Sequence, residues 1–166
     1  MGTGPTTRDR DLALQAGSRF VDIPGIMMAM PLREPQYDDP RKLRALLDKV
    51  VNLADDHRLT SVLVGMSGSE GDLIFPEVVD FVGCALRIDD AIFRMTRNRA
   101  VLFLADASRE RAEEIIERLM HGFSGRFATS ESPRVGISYF EVAPGMERLT
   151  LKEILPRLFA SGVDCH

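Results

Sequence analysis

Residues 71–104 read GDLIFPEVVDFVGCALRIDDAIFRMTRNRAVLFL. From Phe75 through Val78, Val79, Val82 and Leu86, apolar residues recur at three- and four-residue steps, the period of an amphipathic helix. Two short β-prone runs follow, residues 91–95 and 100–104, and the polar Thr96-Arg97-Asn98-Arg99 between them reads as the turn of a β-hairpin. One helix feeding one hairpin is the unit to which the rest of the chain attaches.

Downstream, Ser108 is placed to cap a helix over residues 109–123, with Ala112, Ile115, Ile116 and Leu119 as its apolar face. The Ser/Thr-rich residues 128–133 form a loop, residues 134–142 a strand, and residues 149–159 a last helix interrupted by Pro156. Upstream, Asp38 or Asp39 can cap a helix over residues 41–57 that has Pro40 near its first position. Leu43, Leu46, Leu47, Val50, Val51 and Ala54 line one face of it. Residues 60–66, TSVLVGM, read as a central strand buried on both sides. The first 32 residues form an N-terminal extension. Residues 1–10 are polar and expected to be poorly ordered, and Met-rich residues 26–30 suggest a short strand after Pro24-Gly25. Residues 33–166 make up the domain itself.

A length of 166 residues, 45% of them hydrophobic and 28% charged, fits one soluble globular domain. The net charge of −4 argues against a basic nucleic-acid-binding domain. No apolar run reaches membrane-spanning length, and the start lacks a signal-peptide layout, so the cytoplasm is the expected location. Cys84 and Cys165 are too far apart to suggest a disulfide framework; Cys84, inside the helical repeat, reads as a small buried apolar residue. His57, His121 and His166 lie in different segments without ligand spacing, so no metal site and no cofactor is expected. Ser138 has no base in pattern with it, and Ser67-Gly68-Ser69-Glu70-Gly71 lacks the Gly-Lys-Ser/Thr ending of a phosphate loop. The basic residues are 18 Arg and 3 Lys out of 21, and arginine supplies the forked donors that suit guanine edges and phosphates.

The succession Gly71-Asp72, helix, Arg87-Ile88-Asp89-Asp90, strand, turn, strand resembles the core of the GGDEF domain, the diguanylate cyclase family of bacterial signal transduction. The resemblance covers roughly residues 41–142. It implies an α/β fold of the α+β type, with a central, mostly antiparallel five-stranded sheet flanked by helices. The turn and the Arg-x-x-Asp tetrad would sit on adjacent ends. It also exposes departures. Where the family carries Gly-Gly-Asp/Glu-Glu-Phe, this chain has Thr96, Arg97, Asn98, Arg99 and Ala100. Where the family's first strand ends in metal-holding carboxylates, Gly65, Met66 and Ser67 stand instead. About one helix is missing before Gly71, and Asp72 survives alone as a reason to consider GTP binding without turnover. Magnesium needs hard oxygen ligands, whereas Asn98 is neutral and flanked by two guanidiniums. The resemblance therefore implies a pseudoenzyme without cyclase activity.

Five residues before the signature, many family members carry Arg-x-x-Asp as an inhibitory site that binds the product, cyclic di-GMP. Here that pair is Arg87 and Asp90, and the family's second arginine, on the helix after the hairpin, corresponds by spacing to Arg118. The guanidinium would fork onto a guanine O6/N7 edge, with the carboxylate accepting from guanine N–H groups. Arg87–Asp90 reads equally as a surface salt bridge, and Arg118 as a solvated residue paired with Glu114. Two functions follow: a receptor module that binds cyclic di-GMP and signals to a protein partner, or a nucleotide-independent interaction and dimerisation module.

Overall fold

The structure, a computed structural model, describes residues 37–127 and 133–160. The expected N-terminal extension, the strand around residues 26–30, most of the 128–133 loop, Cys165 and His166 lie outside the described residues. In chain order the elements are α1 (Pro40–His57), β1 (Ser61–Ser67), α2 (Ile74–Ala85), β2 (Ala91–Thr96), β3 (Arg99–Leu104), α3 (Arg109–Arg126), β4 (Gly136–Val142) and α4 (Leu151–Phe159).

The strands form one antiparallel sheet in the order β2-β3-β1-β4. Each βαβ unit is split: β3 lies between β1 and β2, and β1 lies between β3 and β4. Four strands are found among the described residues, not the five expected. After Val142 the chain turns at Ala143-Pro144-Gly145, and the capping box of Thr150 and Glu153 starts α4, the last helix expected.

β1 and β3 are central, so their alternating side chains are buried on both faces and their sequences are nearly unbroken apolar runs. Val62, Val64 and Met66, with Ala100, Leu102 and Leu104, pack under Phe75, Val78, Val79 and Val82 of α2 and Ala112, Ile116 and Phe123 of α3. On the other face, Leu63, Val101, Phe103 and Val142 meet Leu43, Leu47, Val50 and Val51 of α1 and Ile154 and Leu158 of α4. The sheet is thus sandwiched between two helix pairs. At Gly65 the approach is close enough that a Cβ would lie 2.6 Å from the Leu158 carbonyl oxygen.

Caps follow the sequence closely. Asp39 accepts from the Arg41 N–H at 2.9 Å, and Ser108 accepts from the Arg111 N–H at 3.3 Å. Asp38 does something else. Its carboxylate accepts from the Arg94 N–H at 2.8 Å while its own N–H donates to the Arg94 carbonyl at 2.9 Å, which covers part of the outer edge of β2. Cys84 is exposed, not buried, because Phe75, Val78, Val79 and Val82 define the inward stripe of α2 and position 84 falls off it.

Candidate ligand site

α2 stops at Ala85, since Leu86 turns extended with φ −71° and ψ 149°. Residues 87–90 then form a tight turn, closed by the Asp90 N–H donating to the Arg87 carbonyl at 3.1 Å. This turn, not a helix end, brings the two side chains of the tetrad to one side. The Asp90 carboxylate accepts from the Arg87 Nε at 3.3 Å, from the Arg87 backbone N–H at 3.3 Å and from the Ala105 N–H at 3.0 Å. Arg87 Nη2 in turn donates to the Ala105 carbonyl at 3.0 Å. The pair therefore clasps one residue of the β3–α3 connection, Ala105, through both its N–H and its carbonyl.

The two members differ in exposure. Asp90's side chain is 4% exposed and Arg87's is 62% exposed. The carboxylate is occupied by protein donors. The guanidinium spends one Nε–H and one Nη2–H, leaving roughly three of its five N–H donors for solvent or a ligand. Ile88, at the corner of the turn, is 98% exposed.

Arg118 is exposed on α3. Its expected partner is taken, because Glu114 pairs with Arg111 at 2.9 Å. The antiparallel packing of α2 and α3 is fixed by Phe81, whose ring meets Phe123 edge-on with centroids 5.6 Å apart, and by Gly122, where a Cβ would lie 3.5 Å from the Phe81 ring. Position 118 is one turn before Gly122 on the same stripe of α3. Rising back along α3 from Phe123 to Arg118, and forward along α2 from Phe81 to Leu86, covers about 7.5 Å in each case. Arg118 is therefore on the α2-facing stripe of α3, five residues before the Phe123 that meets Phe81.

The signature turn is at the other end of β2. Tetrad and turn flank the whole strand Ala91–Thr96, about 20 Å, so they occupy opposite ends of the sheet and not adjacent ones. The turn is held internally: the Thr96 hydroxyl donates to Asn98 Oδ1 at 3.0 Å and the Gly68 N–H donates to the Asn98 carbonyl at 2.8 Å. Arg97 and Arg99 are exposed, Ala100 is fully buried, and the Arg99 guanidinium lies over the Phe159 ring at 5.2 Å.

Of the positions where metal carboxylates would stand, Gly65 lies under α4, Met66 is core, and the Ser67 hydroxyl is 3.5 Å from the Gly136 carbonyl. Asp72 is engaged as well. Its carboxylate accepts from the Ile74 N–H at 2.8 Å and so caps α2. Among the described residues no three His, Cys, Asp or Glu side chains converge as a metal set, and His57 and His121 sit on helices that cover opposite faces of the sheet. No described helix is long and apolar enough to cross a membrane.

No protein-family model matches this chain, and no curated protein does. Solved structures do. The GGDEF domain of FimX from Pseudomonas aeruginosa superposes with a TM-score of 0.60 at 13% identity, over 78% of this chain and 93% of that one. The GGDEF domain of DgcB from Caulobacter crescentus, in complex with c-di-GMP, gives 0.59 at 16% identity over 80% and 93%. The chain has the GGDEF fold. PelD from Pseudomonas aeruginosa gives 0.59 at 22% identity over 78% of this chain, and its complex with c-di-GMP gives 0.58. This chain spans about half, 48%, of the PelD segment in that structure. Within the GGDEF fold, Thr96-Arg97-Asn98-Arg99 is the turn between β2 and β3, and Arg87 to Asp90 is the turn that leads into β2.

Proposed function

We propose that this GGDEF-fold domain is a catalytically inactive receptor for cyclic di-GMP, with Arg87 and Arg118 as ligand contacts and Asp90 as the residue that positions Arg87. One observation carries the reading: Arg87 is held by Asp90 and Ala105 yet exposed, with N–H donors to spare. A guanidinium fixed before the ligand arrives loses less side-chain entropy on binding and keeps its fork for a guanine edge. Structures of the same fold in complex with c-di-GMP, PelD and DgcB, support the choice of ligand. Inactivity rests on Gly65, Met66, Ser67 and Asn98 standing where the chemistry needs carboxylates. Purified protein given GTP and Mg²⁺ is expected to make no cyclic di-GMP above a blank; turnover would overturn that half of the reading.

Cys84 supplies a local reporter, being exposed and three residues before Arg87. In a Cys165→Ser background, cyclic di-GMP is expected to slow alkylation of Cys84, and Arg87→Ala to abolish the protection. An alkylation rate indifferent to saturating ligand would remove the site. A second reading, a nucleotide-independent protein-interaction module acting alone or as a dimer, draws on Ile88, whose 98% exposure beside an engaged carboxylate is unusual for an apolar side chain. Binding of cyclic di-GMP separates the two.

A further inference from the structure

The helix α1 carries its charges in the order opposite to the one its own dipole favours. Arg41, Lys42 and Arg44 stand at its start, where the first turn has no acid, and Asp55 and Asp56 stand at its end. A helix N-terminus is partly positive and a C-terminus partly negative, so both groups weaken the helix on its own. Asp39 at the N-cap and Arg58 at the C-cap offset one charge at each end. All of these side chains are exposed, and the ion pairs among the described residues engage none of them. Asp39 and Asp55 each accept one backbone N–H, from Arg41 and from Gly145, and keep their charge; Asp38, further out, is turned to the Arg94 N–H of β2.

That order has an internal symmetry. The midpoint of Pro40–His57 falls between Asp48 and Lys49, and residues equidistant from it carry opposite signs. Asp48 matches Lys49, Lys42 matches Asp55, Arg41 matches Asp56 and, just outside the helix, Asp39 matches Arg58. Arg44 is the exception, equidistant with the uncharged Leu53. In two antiparallel copies of α1 set side by side, every residue lies level with its equidistant counterpart, because the rise per residue is the same in both. A two-fold contact makes every such pair twice and opposes the two helix dipoles. The exposed stripe opposite buried Leu43, Leu47, Val50 and Ala54 includes Ala45 and Asn52, which also fall level and are short enough to let the two axes approach. Three of the exposed large apolar side chains, Tyr37, Leu53 and Leu59, lie on α1 or within three residues of it.

We propose that the outer face of α1 pairs antiparallel with α1 of a second copy of this chain, giving a two-fold dimer matched by charge and weakened by salt. This helix covers the face of the sheet opposite α2 and α3, so the dimer does not depend on the receptor reading. The test is sedimentation velocity of the full chain. A dimer is expected at about 0.1 mM protein in about 50 mM salt, with a dissociation constant at least about tenfold higher in about 0.5 M salt. Arg41→Glu and Asp56→Lys each set like charges level twice, so each variant alone is expected to be monomeric under the same conditions. Their equimolar mixture restores both pairs in the heterodimer and is expected to be dimeric. Both substitutions install the sign that the helix dipole favours, so loss of association is separable from loss of fold, which far-UV circular dichroism of each variant checks. Arg87→Ala is expected to dimerise like the parent. A monomer at low salt, a dimer indifferent to salt, single variants that associate as the parent does, or a mixture that stays monomeric would each overturn the proposal.

Discussion

Asp90 and Arg87 are paired in space, but the structure assigns them unequal costs when removed. Asp90→Ala deprives the Ala105 N–H and the Arg87 N–H of a charged acceptor at a site where the carboxylate is 4% exposed. Bonds to a charged group contribute roughly 1.5–3 kcal/mol, and a stranded donor costs about 1 kcal/mol or more, so a loss of about 3 kcal/mol is expected. Arg87→Ala removes an ion pair whose basic partner is largely in water and one bond to the Ala105 carbonyl. That change should cost about 1 kcal/mol or less. With a urea m value of about 2 kcal/mol/M, the unfolding midpoint falls by about 1.5 M in Asp90→Ala and by at most about 0.5 M in Arg87→Ala. Asp90→Asn, which keeps one acceptor oxygen, should fall between them. Equilibrium urea unfolding followed by circular dichroism measures all three. An Asp90→Ala midpoint within about 0.3 M of the parent, or equal losses for Asp90→Ala and Arg87→Ala, would refute the assignment of Asp90 as a brace.

Gly65→Ala places a Cβ 2.6 Å from the Leu158 carbonyl and 2.8 Å from Ser138 Oγ, so α4 must lift; about 1–3 kcal/mol of destabilisation and faster proteolysis at α4 are expected. Phe123→Ala empties a position that is 1% exposed and in contact with Phe81 and Phe127, which should cost about 3–5 kcal/mol by thermal or urea unfolding and loosen the alignment of α2 with α3. Bonds from the Thr150 hydroxyl and backbone N–H hold the Glu153 carboxyl below its ordinary pKa of 4.5. The capping contribution is therefore complete above about pH 4.5 and fades as pH falls through the lowered value; amide exchange in the first turn of α4 should rise over that window, and Glu153→Gln should remove the pH dependence.

The elements from α1 to α3 were legible because their apolar residues keep period 3.6 over three or more turns, and because β1 and β3, buried on both faces, read as unbroken apolar runs. The hairpin turn was legible from Arg97-Asn98 between two β-prone runs. Long-range bonds leave no local pattern. Nothing in Arg87-Ile88-Asp89-Asp90 announces that Asp90 is bonded to Ala105, and Asp38 meeting Arg94 across 56 positions is equally silent. Cys84 was misplaced because a helical repeat sets a stripe, and a residue two positions past Val82 falls off it whatever its apolarity. Of the strands expected, the one read at residues 26–30 lies outside the described residues, and the residues after Val142 hold a turn and the capping box that starts α4. Position 118 was proposed by spacing; the structure adds that it is exposed on α3, one turn before the Gly122 that meets Phe81.

Calorimetric titration of the folded protein with cyclic di-GMP, run beside the Arg87→Ala variant, puts the receptor claim to its most direct test. Saturable binding at micromolar ligand that falls by at least about tenfold in Arg87→Ala is the predicted result. No heat of binding to the parent protein, or the same affinity in both, would contradict it.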